Sequence, residues 1–241
     1  MARMSDITDT ASAPSGKPKA IAATAIGQLR YYDLVMAAFV TILLLSNIIG
    51  ASKPSYIALP DGSQWAFGAG VLFFPIGYII GDVLTEVYGY ARARRVIWTG
   101  FAALLFMAFM AWVVVSLPPA DGWPGQESYE FVFGNSWRIV AASMTAFWAG
   151  EFANSYVMAR MKIWSNGKHL WARTIGSTVV GQGLDSLLFY PLAFYGIAGW
   201  PPEQLWKVIV SQWLIKTSWE VLLTPFTYWA VITLKRREGI D

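Results

Sequence analysis

Apolar residues gather along this chain in six long stretches, separated by segments rich in Gly, Pro, Arg or Asp. A membrane-crossing helix needs about 20 mainly apolar residues. Six stretches meet this: about Tyr32 to Gly50, Ala66 to Gly89, Val96 to Leu117, Trp137 to Arg160, Thr174 to Gly199 and Leu205 to Leu234. The fourth is the least hydrophobic. In lipid only helices or closed barrels satisfy the backbone polar groups. The pattern therefore predicts an all-α, polytopic membrane protein with six transmembrane helices spanning residues 30–235. Residues 1–29 are rich in Ala, Ser, Thr, Pro and Lys and lack the apolar run of a signal peptide. They read as a disordered cytoplasmic tail, and residues 236–241 as a short cytoplasmic C-terminal tail.

Composition supports this. Of the 241 residues 56% are hydrophobic and 14% charged, against about 25% charged in ordinary soluble domains. The Trp and Tyr content suits aromatic belts at two interfaces. With no Cys and a single His, His169, the chain offers no disulfide, thiolate metal site or cysteine nucleophile. A histidine-built zinc site or Ser–His–Asp triad is equally out of reach.

Charge sets the orientation. Lys17, Lys19 and Arg30 precede the first stretch. Arg92, Arg94 and Arg95 follow the second, and Arg160, Lys162, Lys168 and Arg173 the fourth. Lys235, Arg236 and Arg237 follow the sixth. The opposite side carries Lys53 with Asp61, then Asp121, Glu127 and Glu130, then Glu203 with Lys207. Basic loops mark the cytoplasmic side, which puts both termini there. The outer segment 118–136, PPADGWPGQESYEFVFGNS, reads as a lid or as a solvated connector.

The polar residues inside these stretches carry the candidate chemistry. GVLFFPIGYIIGDVLTEVYGY (residues 70–90) places Asp82 and Glu86 at i, i+4, on one helical face. Glu151 is followed by Asn154 and Ser155. Asp185 follows Gln182 by one turn, and Lys216 and Glu220 stand at i, i+4. Asn47 and Lys53 lie at the outer end of the first stretch. An acid or Lys at the bilayer centre costs about 2.5–3.5 kcal/mol on insertion scales. These groups must therefore turn inward to pair, protonate or line a wet cavity. The five acids outnumber Lys53 and Lys216, so internal pairing alone does not neutralise them.

Structural readings stand beside the functional ones. Glu86 is close enough to Arg92, Arg94 and Arg95 for a rim salt bridge. Lys216 and Glu220 could pair with each other. Lys53 could snorkel to the interface, and Asn154 and Ser155 could join helices. Pro75, Pro191 and Pro225 lie within the stretches and are candidate hinges. Tyr78, Trp148, Phe152, Tyr156, Phe189, Tyr190, Trp213 and Trp219 could stack on a planar ligand or simply pack. GDVLTEVYGYAR and GEFANSYVMAR echo each other faintly.

Four blocks carry a family likeness: NIIGASK, FPIGYIIGDVLTEVYGYARARRVIW, GEFANSYVMARMK and RTIGSTVVGQGLDSLLF. Together they resemble the bacterial queuosine precursor transporter family across most of residues 45–220. The resemblance implies a multi-pass inner-membrane importer of 7-cyano-7-deazaguanine (preQ0), with its 7-aminomethyl relative (preQ1) as a second substrate. It also implies distant kinship with vitamin-uptake proteins. A deazaguanine edge presents two adjacent donors that a carboxylate accepts in a fork, an O6 that wants a donor, and a flat face that wants an aromatic. Asn47, Asp82, Glu86, Glu151, Asn154, Gln182, Asp185, Lys216 and Glu220 are thus the candidate substrate-binding residues. Glu151 or Asp185 would read the base edge.

Three other classes stand beside this reading, one of them a channel or structural membrane protein, which saturation of flux and its dependence on the acids would distinguish. An intramembrane enzyme lacks support, since no Gly-x-Ser-x-Gly motif occurs and the His is in a basic loop. A substrate-binding subunit energised by a partner ATPase is compatible with the absence of any Gly-x-x-x-x-Gly-Lys-Ser/Thr motif. No cofactor, metal or nucleic-acid partner is expected. Six helices enclose a small site, which leaves room for a homodimer, and no segment marks an interface.

Overall fold

A computed structural model describes residues 29–51, 53–165 and 170–239. Most of the tail, with Lys17 and Lys19, and the segment holding Lys168 and His169 lie outside the described residues. The described residues from Tyr31 onward form one unit.

The first apolar stretch is helical throughout: α1, Tyr32–Leu45, runs into a wider π-wound segment, Ser46–Gly50. The widened winding turns Asn47 inward, where it is buried.

The second stretch begins differently from the expectation. Residues 66–68 belong to a β-hairpin, in which β1 (Pro54–Ala58) pairs antiparallel with β2 (Gln64–Gly68). Ser63 donates from both its amide and its hydroxyl to Asp61 Oδ1, at 2.9 and 2.7 Å, and Gly62 takes a positive φ of 80°. Asp-Gly-Ser is thus a turn that a left-handed residue makes possible. A 3₁₀ turn, Ala69–Leu72, leads into α2, Phe74–Tyr88. The 15-residue α2 is only about 22 Å long, short of the roughly 30 Å hydrocarbon core. Pro75 sits in its first turn. There a missing N–H costs nothing, so Pro75 is a helix starter rather than a mid-helix break.

Gly89, at φ 81°, turns the chain directly into α3, Tyr90–Val115. Arg92, Arg94 and Arg95 therefore occupy the first turns of α3 and not a loop. The outer segment 118–136 contains a helix of its own, α4, Gln126–Phe133. Then follow α5 (Ser136–Trp164), α6 (Leu170–Phe194) and the 37-residue α7 (Pro202–Glu238). The fifth stretch was expected to reach Gly199. It ends at Phe194, because residues 195–199 turn through Gly196 and Gly199, both at positive φ. The C-terminal tail is helical through Glu238. Pro191 and Pro225 lie inside α6 and α7. The fold is helical apart from the hairpin. Among the described residues two helical runs, Tyr32–Gly50 and Tyr90–Val115, are long and apolar enough to cross a membrane by length and composition.

Small residues let α5 and α6 lie close. A methyl at Gly150 would meet Gly181 O at 3.0 Å and Asp185 Cβ at 3.1 Å. One at Gly181 would meet Asn154 Cβ at 2.9 Å. Such close backbone approach is how helices associate where lipid removes the hydrophobic drive. At the outer end Arg138 of α5 donates to Leu192 O and Tyr195 O, both at 2.7 Å, and so caps the last carbonyls of α6. Beside it Phe194 stacks on Trp200 within a buried cluster that includes Tyr190, Val208 and Ile209. α7 holds the hairpin: Ser211 Oγ donates to Ala66 O at 2.5 Å and Gln212 Nε2 to Gly68 O at 2.7 Å. At the other end Glu238 Oε1 accepts from Tyr31 N and from the Tyr88 hydroxyl, each at 2.8 Å. That carboxylate joins α7 to the start of α1 and the end of α2.

Candidate functional site

Helical spacing builds the site. On α7, Gln212, Lys216 and Glu220 follow one another at i, i+4, i+8 and form one stripe. On α6, Thr178, Gln182 and Asp185 stand at i, i+4, i+7. These two stripes face each other, and α2 presents Phe74 and Tyr78 to the same place.

Lys216 is the centre. Its side chain is 2% exposed, and its ammonium donates to Asp185 Oδ2 at 2.5 Å. It also lies 4.0 Å from the centroid of the Phe74 ring, where a desolvated cation gains from the ring quadrupole. Lys216 therefore pairs across to α6, not with Glu220 on its own helix. Asp185, which lacked a cation in the sequence reading, has this one. Glu220 instead accepts from Thr178 Oγ1 at 2.8 Å. The Tyr78 hydroxyl interacts with the Gln182 side chain and lies within electrostatic range of Asp185 and Glu220. Trp213 donates through Nε1 to Val179 O at 2.8 Å and covers Gly183.

Three further acids, Asp82 and Glu86 of α2 and Glu151 of α5, stand exposed on neighbouring helices. Glu220 is within electrostatic range of Asp82 of α2 and Glu151 of α5, and Asp82 is within range of Glu86. None of these carboxylates has an ion-pair partner among the described residues. Glu86 in particular forms no salt bridge with Arg92, Arg94 or Arg95. Arg92 donates instead to Tyr88 O, the last carbonyl of α2. The arrangement is thus one neutralised pair, Asp185–Lys216, beside a field of unpaired acids. Among the described residues no three acids lie close enough to hold a metal ion.

Other predicted residues lie elsewhere or act otherwise. Asn47 donates through Nδ2 to Leu43 O at 2.9 Å, within its own helix. Asn154 is at the α5–α6 crossing, and its buried Oδ1 has no donor among the described residues. Lys53 is exposed beside the hairpin. Trp148, Phe152 and Tyr156 are largely exposed on the outer surface of α5. Phe189 and Tyr190 belong to the outer core cluster.

Phe74, Thr178 and Gln212 were missed. The stripes that hold Thr178 and Gln212 were readable as helical spacing. Phe74 carries no polar signal at all. Ser186 Oγ, Gln212 Oε1 and Thr217 Oγ1 are buried with no partner among the described residues. They leave unmet hydrogen-bonding capacity around the Lys216 turn.

Comparison with known proteins identifies a family. A family model described as "Putative vitamin uptake transporter" matches residues 68–230, a range that takes in Phe74, Tyr78, Asp82, Glu151, Gln182, Asp185, Lys216 and Glu220. The chain is 34% identical over 161 residues to a protein of Bacillus subtilis (strain 168) named "Probable queuosine precursor transporter". That alignment covers 66% of this chain and 67% of the relative. It is 26% identical over 126 residues to the "Queuosine precursor transporter" of Escherichia coli (strain K12), covering 52% and 54% of the two chains. It is 26% identical over 141 residues to a "Probable queuosine precursor transporter" of Haemophilus influenzae, covering 57% of each. The aligned part thus spans about two thirds of the Bacillus protein and little more than half of the other two. No solved structure is matched.

Proposed function

Because the chain belongs to the vitamin uptake transporter family, a membrane transporter family and not an enzyme family, we propose that it imports queuosine precursors. The substrate we assign is 7-cyano-7-deazaguanine, with the 7-aminomethyl form as the second candidate. The observation that supports this is the cluster in which Asp185, Gln182, Lys216, Tyr78 and Phe74 come together between α2, α6 and α7. It supplies a carboxylate with a free oxygen for the donor edge, amide and ammonium donors for O6, and rings for the flat face. The acids Asp82 and Glu151, exposed and within electrostatic range of Glu220, extend the negative field beyond the cluster. They suit a substrate bearing donors or a positive charge. In this reading six segments cross the bacterial inner membrane, α1, α3, α5, α6, α7 and the short α2 together with its 3₁₀ lead-in Ala69–Leu72, both termini are cytoplasmic, and Asn47, Glu86 and Asn154 support the path from its edges.

The test is uptake of radiolabelled 7-cyano-7-deazaguanine into cells that cannot make it, with membrane levels of every variant measured. Saturable uptake that falls at least tenfold in Asp185→Asn, and also in Asp82→Asn or Glu151→Gln, is the expected result. Full uptake in all three variants would remove the carboxylates from the mechanism. No uptake by the wild type would overturn the substrate. A second reading, delivery of substrate to a partner ATPase, is compatible with a sequence that holds no Gly-x-x-x-x-Gly-Lys-Ser/Thr motif. Transport by the purified chain alone in liposomes excludes it.

A further inference from the structure

The external face formed by α1, α2 and α7 carries a trench that the transport site does not use. Its volume is about 390 Å³. Leu34, Val35 and Ala38 of α1 make one wall, and Trp229, Ala230 and Leu234 of α7 the other. Ile79, Ile80 and Val83 of α2 form the floor, and Arg237 stands at the open end. Small side chains at Ala38 and Ala230 open the gap. Along α7 the trench runs from Trp229 to Arg237, two turns or about 12 Å. Its lining is almost wholly apolar, and Leu34 and Trp229 are largely exposed.

On a membrane-embedded surface such a trench is not left empty, since unfilled walls forfeit their dispersion contacts. Hydrocarbon fits the walls. The rim decides which hydrocarbon. Arg237 bonds no carboxylate among the described residues, and Lys235 and Arg236 precede it on the same turn. Two acids lie at this end as well. Glu238 is occupied by the Tyr31 amide and the Tyr88 hydroxyl, and Asp33 is on the first turn of α1. The basic side chains outnumber them. Basic pockets between helices at the cytoplasmic side receive anionic head groups, and a guanidinium grips phosphate in a fork.

We propose that this trench is a binding site for an anionic phospholipid, with one acyl chain between α1 and α7 and the phosphate on Arg237. The site rests on the membrane-embedded reading of the chain and not on its substrate.

Trp229 in the wall supplies the probe. The full-length protein is reconstituted in phosphatidylcholine vesicles containing either brominated phosphatidylglycerol or brominated phosphatidylcholine at equal mole fraction. The Trp229 contribution is the difference between wild type and Trp229→Phe. Phosphatidylglycerol is expected to quench it about fivefold more effectively, the enrichment equivalent to about one basic side chain at an anionic surface. Arg237→Gln should reduce that preference to near parity, with helical circular dichroism unchanged. Equal quenching by both lipids, or an unaffected preference in Arg237→Gln, overturns the proposal. Protection of Trp229 from both lipids, with exposed Trp98 and Trp112 still quenched and a dimer seen by mass, overturns it in favour of a second copy covering the face. Absence of quenching at every Trp would instead overturn the membrane-embedded reading.

Discussion

Lys216 of α7 makes its ion pair with Asp185 of α6, although Glu220 stands four residues along its own helix. The choice joins two helices where an i, i+4 pair would have stabilised only one. Breaking a buried pair from one side leaves an uncompensated charge and costs about 3–5 kcal/mol, whereas replacing both partners costs much less. Lys216→Met and Asp185→Asn are therefore each expected to lower the melting temperature of the detergent-purified protein markedly. The double variant is expected to recover much of the loss. Equal or additive destabilisation in the double variant would show that the two groups act independently.

Thr178 orients Glu220 through a single hydroxyl. Hydrogen bonds to charged groups contribute about 1.5–3 kcal/mol. Thr178→Val should weaken substrate affinity about tenfold, read as a rise in the apparent KM of uptake at constant membrane level. Thr178→Ser should restore it. An unchanged KM in the valine variant would detach Glu220 from binding.

The α5–α6 crossing sets Gly150 and Gly181 apart from Gly81 of α2, although Gly81 and Gly150 look alike in sequence. Gly150→Ala and Gly181→Ala force a methyl against backbone and Asn154 Cβ. Overpacking of this kind costs about 1–3 kcal/mol. Gly81→Ala meets nothing within 4 Å and should be neutral or stabilising, by up to about 1 kcal/mol from helix propensity. Thermal unfolding of the three variants in one detergent checks the ordering.

Asp61 lies in the hairpin turn outside the helices. Donation from the Ser63 hydroxyl, then from the Ser63 amide, holds its carboxyl below its ordinary value of 3.8. A depressed folded value means the turn is fully supported above the ordinary pKa and loses that support as pH falls through the folded one. The hairpin should thus be insensitive to pH between 7 and 5 and loosen only well below pH 4. The Ser63 amide resonance, titrated in wild type and Asp61→Asn, reads this directly. A midpoint above 4 would contradict the bonded turn.

The helices were largely legible in the sequence because each needs a long apolar run, and lipid leaves little alternative. What was not legible depended on short signals. Asp61-Gly62-Ser63 makes a two-strand hairpin from residues whose apolar content reads equally well as the start of a helix. Gly89 lets α3 begin inside an arginine cluster that resembles a loop. The echo between Gly81-Asp82 and Gly150-Glu151 conceals two environments, one open and one at a tight crossing, and spacing does not distinguish them. In the site, i, i+4 spacing suggested that Lys216 would serve Glu220. Only the juxtaposition of α6 and α7 shows that Asp185 is nearer, and only three dimensions bring Phe74 under the ammonium.

Pro225 lies between Glu220 and the Glu238 tie, and it leaves Val221 O without its helical donor. Below it α7 is anchored to the starts and ends of α1 and α2. Above it the helix carries Lys216 and, through Ser211 and Gln212, the hairpin at the opposite face. A small bend at Pro225 would then act as a lever with its fulcrum near one mouth. A tilt there would draw Lys216 off Asp185 and shift the hairpin in one stroke, so that parting the ion pair and moving the far surface would be a single mechanical event.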